Sequence, residues 1–421
     1  MSEHQAFSST MRPPALVRMH DPALDGLRGV AILLVMLYHF NVLNQPVTFA
    51  EALWRGVMNT GWMGVDIFFV LSGHLITTIL LHEKEREHQR RHGTSSGAAF
   101  ATFAGRFWAR RVLRIFPLYY LFLFASFVVL PRAAPHIGNG GITTLLPHEG
   151  WWFWLYLPNL LFAQVGDFVG GRHFHLAWSL GVEEQFYLVW PVVVWFLSRR
   201  QLRNVVVALI VVAFGWRVFL EARETPWITI FVMPHTRMDA LAAGAFIALL
   251  GDDVRRSRRA VALVLVVAGL VYIASHIYLR GQYAQFLPGV VTHGLTANAL
   301  FGAALLYVVR TSPKGGGWRR VFSVAALRVF GRYAYGLYLV HIFVQHLVFG
   351  PLLDRRDVQE VFNQRLLIQA SFTLACTVVS LAVAALLFHG FENHFLRLKR
   401  YFRPPGDSAD SAVVHDVNGP G

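Results

Sequence analysis

The sequence predicts an all-α polytopic membrane protein with about ten transmembrane helices and both termini in the cytoplasm. Three observations predict it. The 421 residues are 55% hydrophobic and 15% charged, whereas an ordinary soluble domain carries about 25% charged residues. The apolar residues gather in runs of about 20, the length a helix needs to span a bilayer. The basic residues fall between those runs and favour alternate loops, which orients the chain.

Taken in order, the runs lie at 24–43, 62–82, 112–131, 176–198, 204–220, 237–251, 260–279, 291–309, 329–349 and 366–390. The loops on the side of the termini hold 26 Lys and Arg, and the opposite loops hold eight, from Arg55 to Arg365. An odd number of spans destroys this asymmetry. The rule that positive loops stay inside therefore places both termini in the cytoplasm of a plasma (inner) membrane. Residues 1–20 lack the apolar core of a cleavable signal and read as a cytoplasmic N-terminal segment, with the first helix as the targeting signal. Residues 21–400 form one transmembrane domain. Residues 401–421, with Pro, Gly and Asp, read as a disordered cytoplasmic tail. The segment Trp151–Phe162 is apolar but too short to span and contains Pro158, so it is expected to be re-entrant or interfacial on the outer side.

The net charge of +14 would suggest nucleic acid in a soluble chain. Here the cations sit between apolar runs, where they set topology and meet anionic lipid headgroups, so no nucleic-acid partner is expected. Cys376 is the single cysteine, which excludes an intrachain disulfide.

Ionisable groups inside a bilayer are costly and by default mark function. The first span carries two, Arg28 near its start and His39 near its end. Eleven residues apart, they are separated by three turns plus roughly 20°, so they share a face about 16 Å apart along the axis. At the cytoplasmic start of the third span, Arg111 and Arg114 are neighbours on one helix face, and two guanidinium forks suit a phosphate or pyrophosphate. The outer half holds Asp66, Glu183, Glu184, Arg237, Asp239 and His341. Groups of both signs at one depth are expected to pair across helices. Glu183 and Glu184, about 100° apart, are not expected to face one partner together.

The result is a polar arrangement on two levels, with arginines at the cytoplasmic mouth and a histidine with carboxylates further out. A donor with a phosphorylated head and a long thin arm fits it, and acetyl-CoA or another acyl-CoA is such a donor. His39 would act as general base on a hydroxyl or take the acyl group itself. A carboxylate, Glu183 or Asp66, would orient its ring. Arg28, Arg111 and Arg114 are the candidate donor ligands, and Arg237 and His341 the candidate substrate ligands. No metal is required.

On these residues the chain resembles the acyltransferase-3 family of integral-membrane acyltransferases. The likeness covers about residues 20–400. It rests on Arg28 and His39, on Arg111 and Arg114, on GVDIFFVLSG from Gly64, on WSLGVEEQFY from Trp178, and on GRYAYGLYLVH from Gly331 to His341. The resemblance implies acyl-CoA as a cytoplasmic donor and a glycan or lipid-linked sugar as acceptor, usually on the outer side. It implies His39 as the essential residue and the arginines as donor ligands. Some members carry a fused extracytoplasmic esterase-like domain, so a separate extracytoplasmic partner protein is expected here. Position 74 is His where the family pattern has an aromatic or aliphatic residue.

Other readings are weaker. His82 and Glu83 lack the second histidine of a zinc protease motif. His173 and His175 form an alternating pair in an outer loop, a weak signal for a metal. His235 and Asp239 match the H-x3-D of soluble acyltransferases only in spacing. The sequence around Ser179 lacks the context of a nucleophile elbow, and no phosphate-binding Gly-Lys-Ser/Thr loop occurs. A secondary transporter or flippase is the alternative from another class, although repeated halves are not evident. An acyltransferase acting on a cytoplasmic small molecule is the third reading.

Overall fold

The computed structural model describes residues 21–42, 46–90, 96–133, 149–251, 256–349 and 365–402. The expected N-terminal segment 1–20, and the tail beyond 402, lie outside the described residues. All regular secondary structure among the described residues is helical. Ten principal helices follow one another: α1 (Pro22–Phe40), α2 (Gly64–Arg90), α3 (Ser96–Phe124), α4 (Ala177–Phe196), α5 (Arg199–Ala222), α6 (Pro234–Leu249), α7 (Arg256–Arg280), α8 (Leu295–Thr311), α9 (Ala325–Phe343) and α10 (Arg365–Leu387). They correspond in order to the ten apolar runs. Among the described residues, seven helical stretches are long and apolar enough to cross a membrane, and these contain α1, α2, α3, α5, α7, α8 and α10. The other three, α4, α6 and α9, are shorter or less apolar and carry Glu183, Arg237 and His341.

The helix starts follow capping chemistry. Asp21 accepts from the Ala23 N–H at the head of α1, with Pro22 in the first turn, a position that tolerates proline. Ser198 and Gln201 form a capping box on α5, satisfying donors that the first turn leaves free. At the far end of α4, the Lys84 ammonium donates to the Val194 and Leu197 carbonyls, both at 2.9 Å.

Two close crossings set the frame of the bundle. Helix α1 packs most extensively on α9, and α2 on α6. A Cβ at Gly29 would overlap the Leu327 carbonyl, and one at Gly331 would overlap the Asp25 carbonyl. At the second crossing, Gly73 meets the Leu241 carbonyl and Gly244 meets the Val70 carbonyl in the same way. Helices in lipid associate through such close backbone contact, because lipid tails offer no hydrophobic drive between them. Helices α5 and α7 stand at the periphery. Val211, Val212, Val264 and Val271 are exposed there, a surface suited to lipid.

The segment expected to be re-entrant forms two short helices, Trp151–Trp154 and Pro158–Val165. Phe153, Asn159 and Phe162 are fully buried. Its backbone is held from α3 and α4: Tyr119 donates to the Phe153 carbonyl at 2.8 Å, and Gln185 donates to the Tyr156 carbonyl at 3.2 Å. One face of this segment is built into the protein interior, while Trp151, Trp154 and Leu155 stay exposed.

Candidate functional site

The α1–α9 crossing brings His39 against His341. The Nε2 of His341 lies 3.1 Å from the Nδ1 of His39. The expected carboxylate partner of His39 is thereby corrected to a second imidazole. Glu183 is elsewhere, bonded to Ser72 at 2.8 Å and Tyr187 at 3.1 Å, and Asp66 is bonded to Arg237 and Asn298.

The surrounding bonds decide the tautomers. A carbonyl oxygen only accepts, so His341 Nδ1, 2.9 Å from the Leu337 carbonyl, carries its proton. In the neutral ring, His341 Nε2 is then an acceptor. His39 Nδ1 lies 2.9 Å from the Val35 carbonyl and carries a proton shared between that carbonyl and His341. The Nε2 of His39 is left with a lone pair. It has no hydrogen-bond partner among the described residues, and the residue is only partly buried. That is the arrangement of a general base held by a neighbour. The backbone beneath it is pinned as well. Gln345 donates to the His39 carbonyl at 2.8 Å, and Gln369 donates to the Phe40 carbonyl at 3.0 Å, satisfying oxygens that a helix end leaves open.

The cations gather at the opposite end of α1. Arg28 bonds Asp25 at 2.8 Å and lies in electrostatic reach of Arg114 and Tyr187. Arg114 pairs with Glu392 at 2.9 Å. Arg111 stacks over Phe107 and Tyr187, 5.6 and 5.7 Å from their ring centres, with no ion-pair or hydrogen-bond partner among the described residues. Lys399 reaches the same cluster from the turn Lys399–Phe402. The side chains of Arg28 and Arg114 retain 29% and 31% of their accessible surface. They therefore line a recess rather than a packed core.

Glu183 connects the two levels. It lies in reach of Arg111 and Arg28 on one side and of Tyr338 on the other, and Tyr338 shares α9 with His341. Tyr338 also meets Ser179 at 2.6 Å. Arg111 is in electrostatic reach of both Glu183 and Glu184, which corrects the expectation that the two glutamates cannot share a partner. A long flexible side chain samples more of a helix face than the 100° step between two Cα positions suggests.

Arg237, expected as a substrate ligand, is buried with Asp66 at 2.5 Å, inside a cage of Phe69, Trp178 and Phe231. Asp239 is held by Arg217 at 2.6 Å. Sequence reasoning missed Arg217, although an arginine in the middle of an apolar run is itself a signal. It also missed Glu392 and Lys399, of which Lys399 counted only among the basic residues of the loops. His74 is buried with its Nδ1 unpartnered, and the structure gives it no ligand.

The acyltransferase domain model of the acyltransferase-3 family matches residues 21–389. The chain belongs to the acyltransferase-3 family. It is 28% identical over 405 residues to the peptidoglycan O-acetyltransferase OatA of Listeria monocytogenes, covering 91% of this chain and 59% of that protein. It is 25% identical over 334 residues to the O-acetyltransferase OatA of Staphylococcus aureus, covering 76% of this chain and 50% of that one. The chain thus spans about half the length of the curated relatives it matches. No solved structure matches it. For this acyltransferase-3 member the family match covers α1 to α10, the whole helical frame that carries both histidines and the arginine cluster.

Proposed function

We propose that this protein is a membrane O-acyltransferase that moves an acetyl or short acyl group from acyl-CoA to a hydroxyl of a surface glycan or lipid-linked sugar. The observation that carries the reading is the free Nε2 lone pair of His39, set by His341, on the same helix as the arginine recess. In this reading ten helices cross the plasma membrane and both termini lie in the cytoplasm, as the distribution of basic residues supports. The phosphates of the donor rest on Arg111, Arg114, Arg28 and Lys399, with Arg111 free to bind first. The acyl arm extends past Glu183 and Tyr338 toward His39.

The acceptor hydroxyl gives its proton to His39 Nε2 as its oxygen attacks the thioester carbonyl. His341 Nε2 accepts the hydrogen bond from the imidazolium Nδ1–H and stabilises that cation, the role a carboxylate takes in other histidine-based sites. The carbon–sulfur bond then breaks. The thiolate takes the proton from His39 and leaves as free CoA, and the acceptor carries the new ester. The relatives' names, which include peptidoglycan, support a glycan acceptor.

The test uses the full-length protein in proteoliposomes with acetyl-CoA. Release of free thiol that depends on His39 supports the reading. Equal release from His39→Ala protein, or none from the wild type with any glycan offered, refutes it.

A further inference from the structure

A second polar cluster lies at the outer end of α1 and α9, beyond the two histidines of the site. The short turn Arg172–Leu176, which runs into α4 and packs on α9, supplies Arg172, His173 and His175. The turn after α9 supplies His346. Arg172 lies in electrostatic reach of His39, His175 and His346. His173 sits 5.0 Å from the Phe343 ring, and His175 stacks on Phe168 at 4.6 Å.

Two features of this cluster lack an internal purpose. The Nε2 atoms of His173 and His175 are buried without a hydrogen-bond partner, and such atoms are costly unless something outside the chain satisfies them. Arg172 is exposed and has no ion-pair partner among the described residues. Asp167 reaches His175, but one of its carboxylate oxygens accepts from the Phe168 N–H at 2.7 Å. His175 donates its other ring nitrogen to the Gly170 backbone, so its Nε2 is an acceptor. Burial holds His173 down at about 3 and, with Arg172 alongside, His175 at about 4. Both rings are therefore neutral at physiological pH, and the fixed charge of the cluster is the guanidinium.

We infer that this cluster docks an acidic glycan: Arg172, exposed beside the buried Nε2 atoms of His173 and His175, holds a sugar carboxylate, and the sugar so held presents a hydroxyl to His39. The inference rests on the acyltransferase reading and names the acceptor class for it. The planar fork of an arginine matches a carboxylate in a way that a neutral sugar does not use.

The experiment compares each acceptor with its own uncharged counterpart. Peptidoglycan glycan strands and a uronate-containing oligosaccharide are offered with acetyl-CoA to the protein in proteoliposomes, as such and with their carboxylates converted to carboxamides. Transfer by the wild type should favour at least one acidic form by about tenfold or more in kcat/KM, the scale of a charge-assisted hydrogen bond. Arg172→Ala and Arg172→Gln should bring that ratio close to one. Equal use of acidic and amidated forms by the wild type overturns the inference, as does a ratio unchanged in both variants, the outcome if Arg172 meets only lipid headgroups. If the wild type releases no thiol from acetyl-CoA, the acyltransferase reading itself falls, which separates the two failures.

Discussion

His341 Nε2 and His39 Nδ1 face each other at 3.1 Å across the α1–α9 crossing, and each ring is tied by its own helix to a carbonyl one turn back. The pair leaves one basic nitrogen, on His39, for chemistry. His341→Ala should therefore lower kcat by roughly 10² to 10⁴, the range of a general-base contribution, with little change in the KM for acetyl-CoA. His341→Gln should recover part of the rate, because its amide oxygen can accept from His39 Nδ1. Steady-state kinetics of thiol release check this. An Ala variant as fast as the wild type would remove His341 from the site.

Arg111 has no ion-pair partner among the described residues, whereas Arg28 pairs with Asp25 and Arg114 with Glu392. Arg111→Ala should weaken CoA binding by about tenfold, and Arg111→Lys should not restore it fully, because the ammonium lacks the planar fork. Calorimetric titration of CoA into His39→Ala protein, with and without the second change, isolates binding from turnover. Unaltered affinity would point to another phosphate site.

Glu392 neutralises Arg114 at 2.9 Å. Glu392→Gln should free that guanidinium and lower the KM for acetyl-CoA two- to tenfold, about 1 kcal/mol for a pair whose arginine stays 31% exposed. The effect should shrink as salt rises, since screening weakens exposed charges. A rise in KM would mean that Glu392 positions the arginine rather than masking it.

Asp66 and Arg237 are both about 1% exposed and pair at 2.5 Å. Asp66→Ala leaves a buried guanidinium without its counter-charge, a loss of about 3–5 kcal/mol. It should lower the thermal midpoint in detergent, whereas the double variant Asp66→Asn with Arg237→Met should lose less. Loss of activity by Asp66→Asn at an unchanged midpoint would instead give Asp66 the chemical role its position in the sequence suggested.

Gly331→Ala places a methyl group on the Asp25 carbonyl. Overpacking of this kind costs about 1–3 kcal/mol, and here it also pushes α9 away from α1. Activity should fall more than stability does, because the His39–His341 distance depends on the crossing. Thiol release and thermal melting measured on one preparation test this, and a fully active Gly331→Ala protein would show that the crossing has slack.

The order of the ten helices was legible because apolar runs of membrane length are a one-dimensional signal. So were Arg28, His39, Arg111 and Arg114, since charge in an apolar run is expensive and stands out. Less legible was which charges meet. Asp66, Glu183 and Asp239 looked equivalent as intramembrane acids. One serves Arg237, one Ser72 and Tyr187, and one Arg217. The glycines of the two close crossings carried no visible warning either, because a glycine in an apolar run reads only as small.

By itself the sequence determined that the chain is helical, where each helix lies along it, and which side chains are too costly in lipid to be idle, because hydropathy and charge belong to residues one at a time. Only the tertiary structure decided that His341 rather than a carboxylate stands behind His39, and that Arg111 is left unpaired while Arg114 and Arg237 are not. Those are relations across helices far apart in the chain. They follow from where backbones come within contact at Gly29 and Gly331, which sequence spacing does not encode.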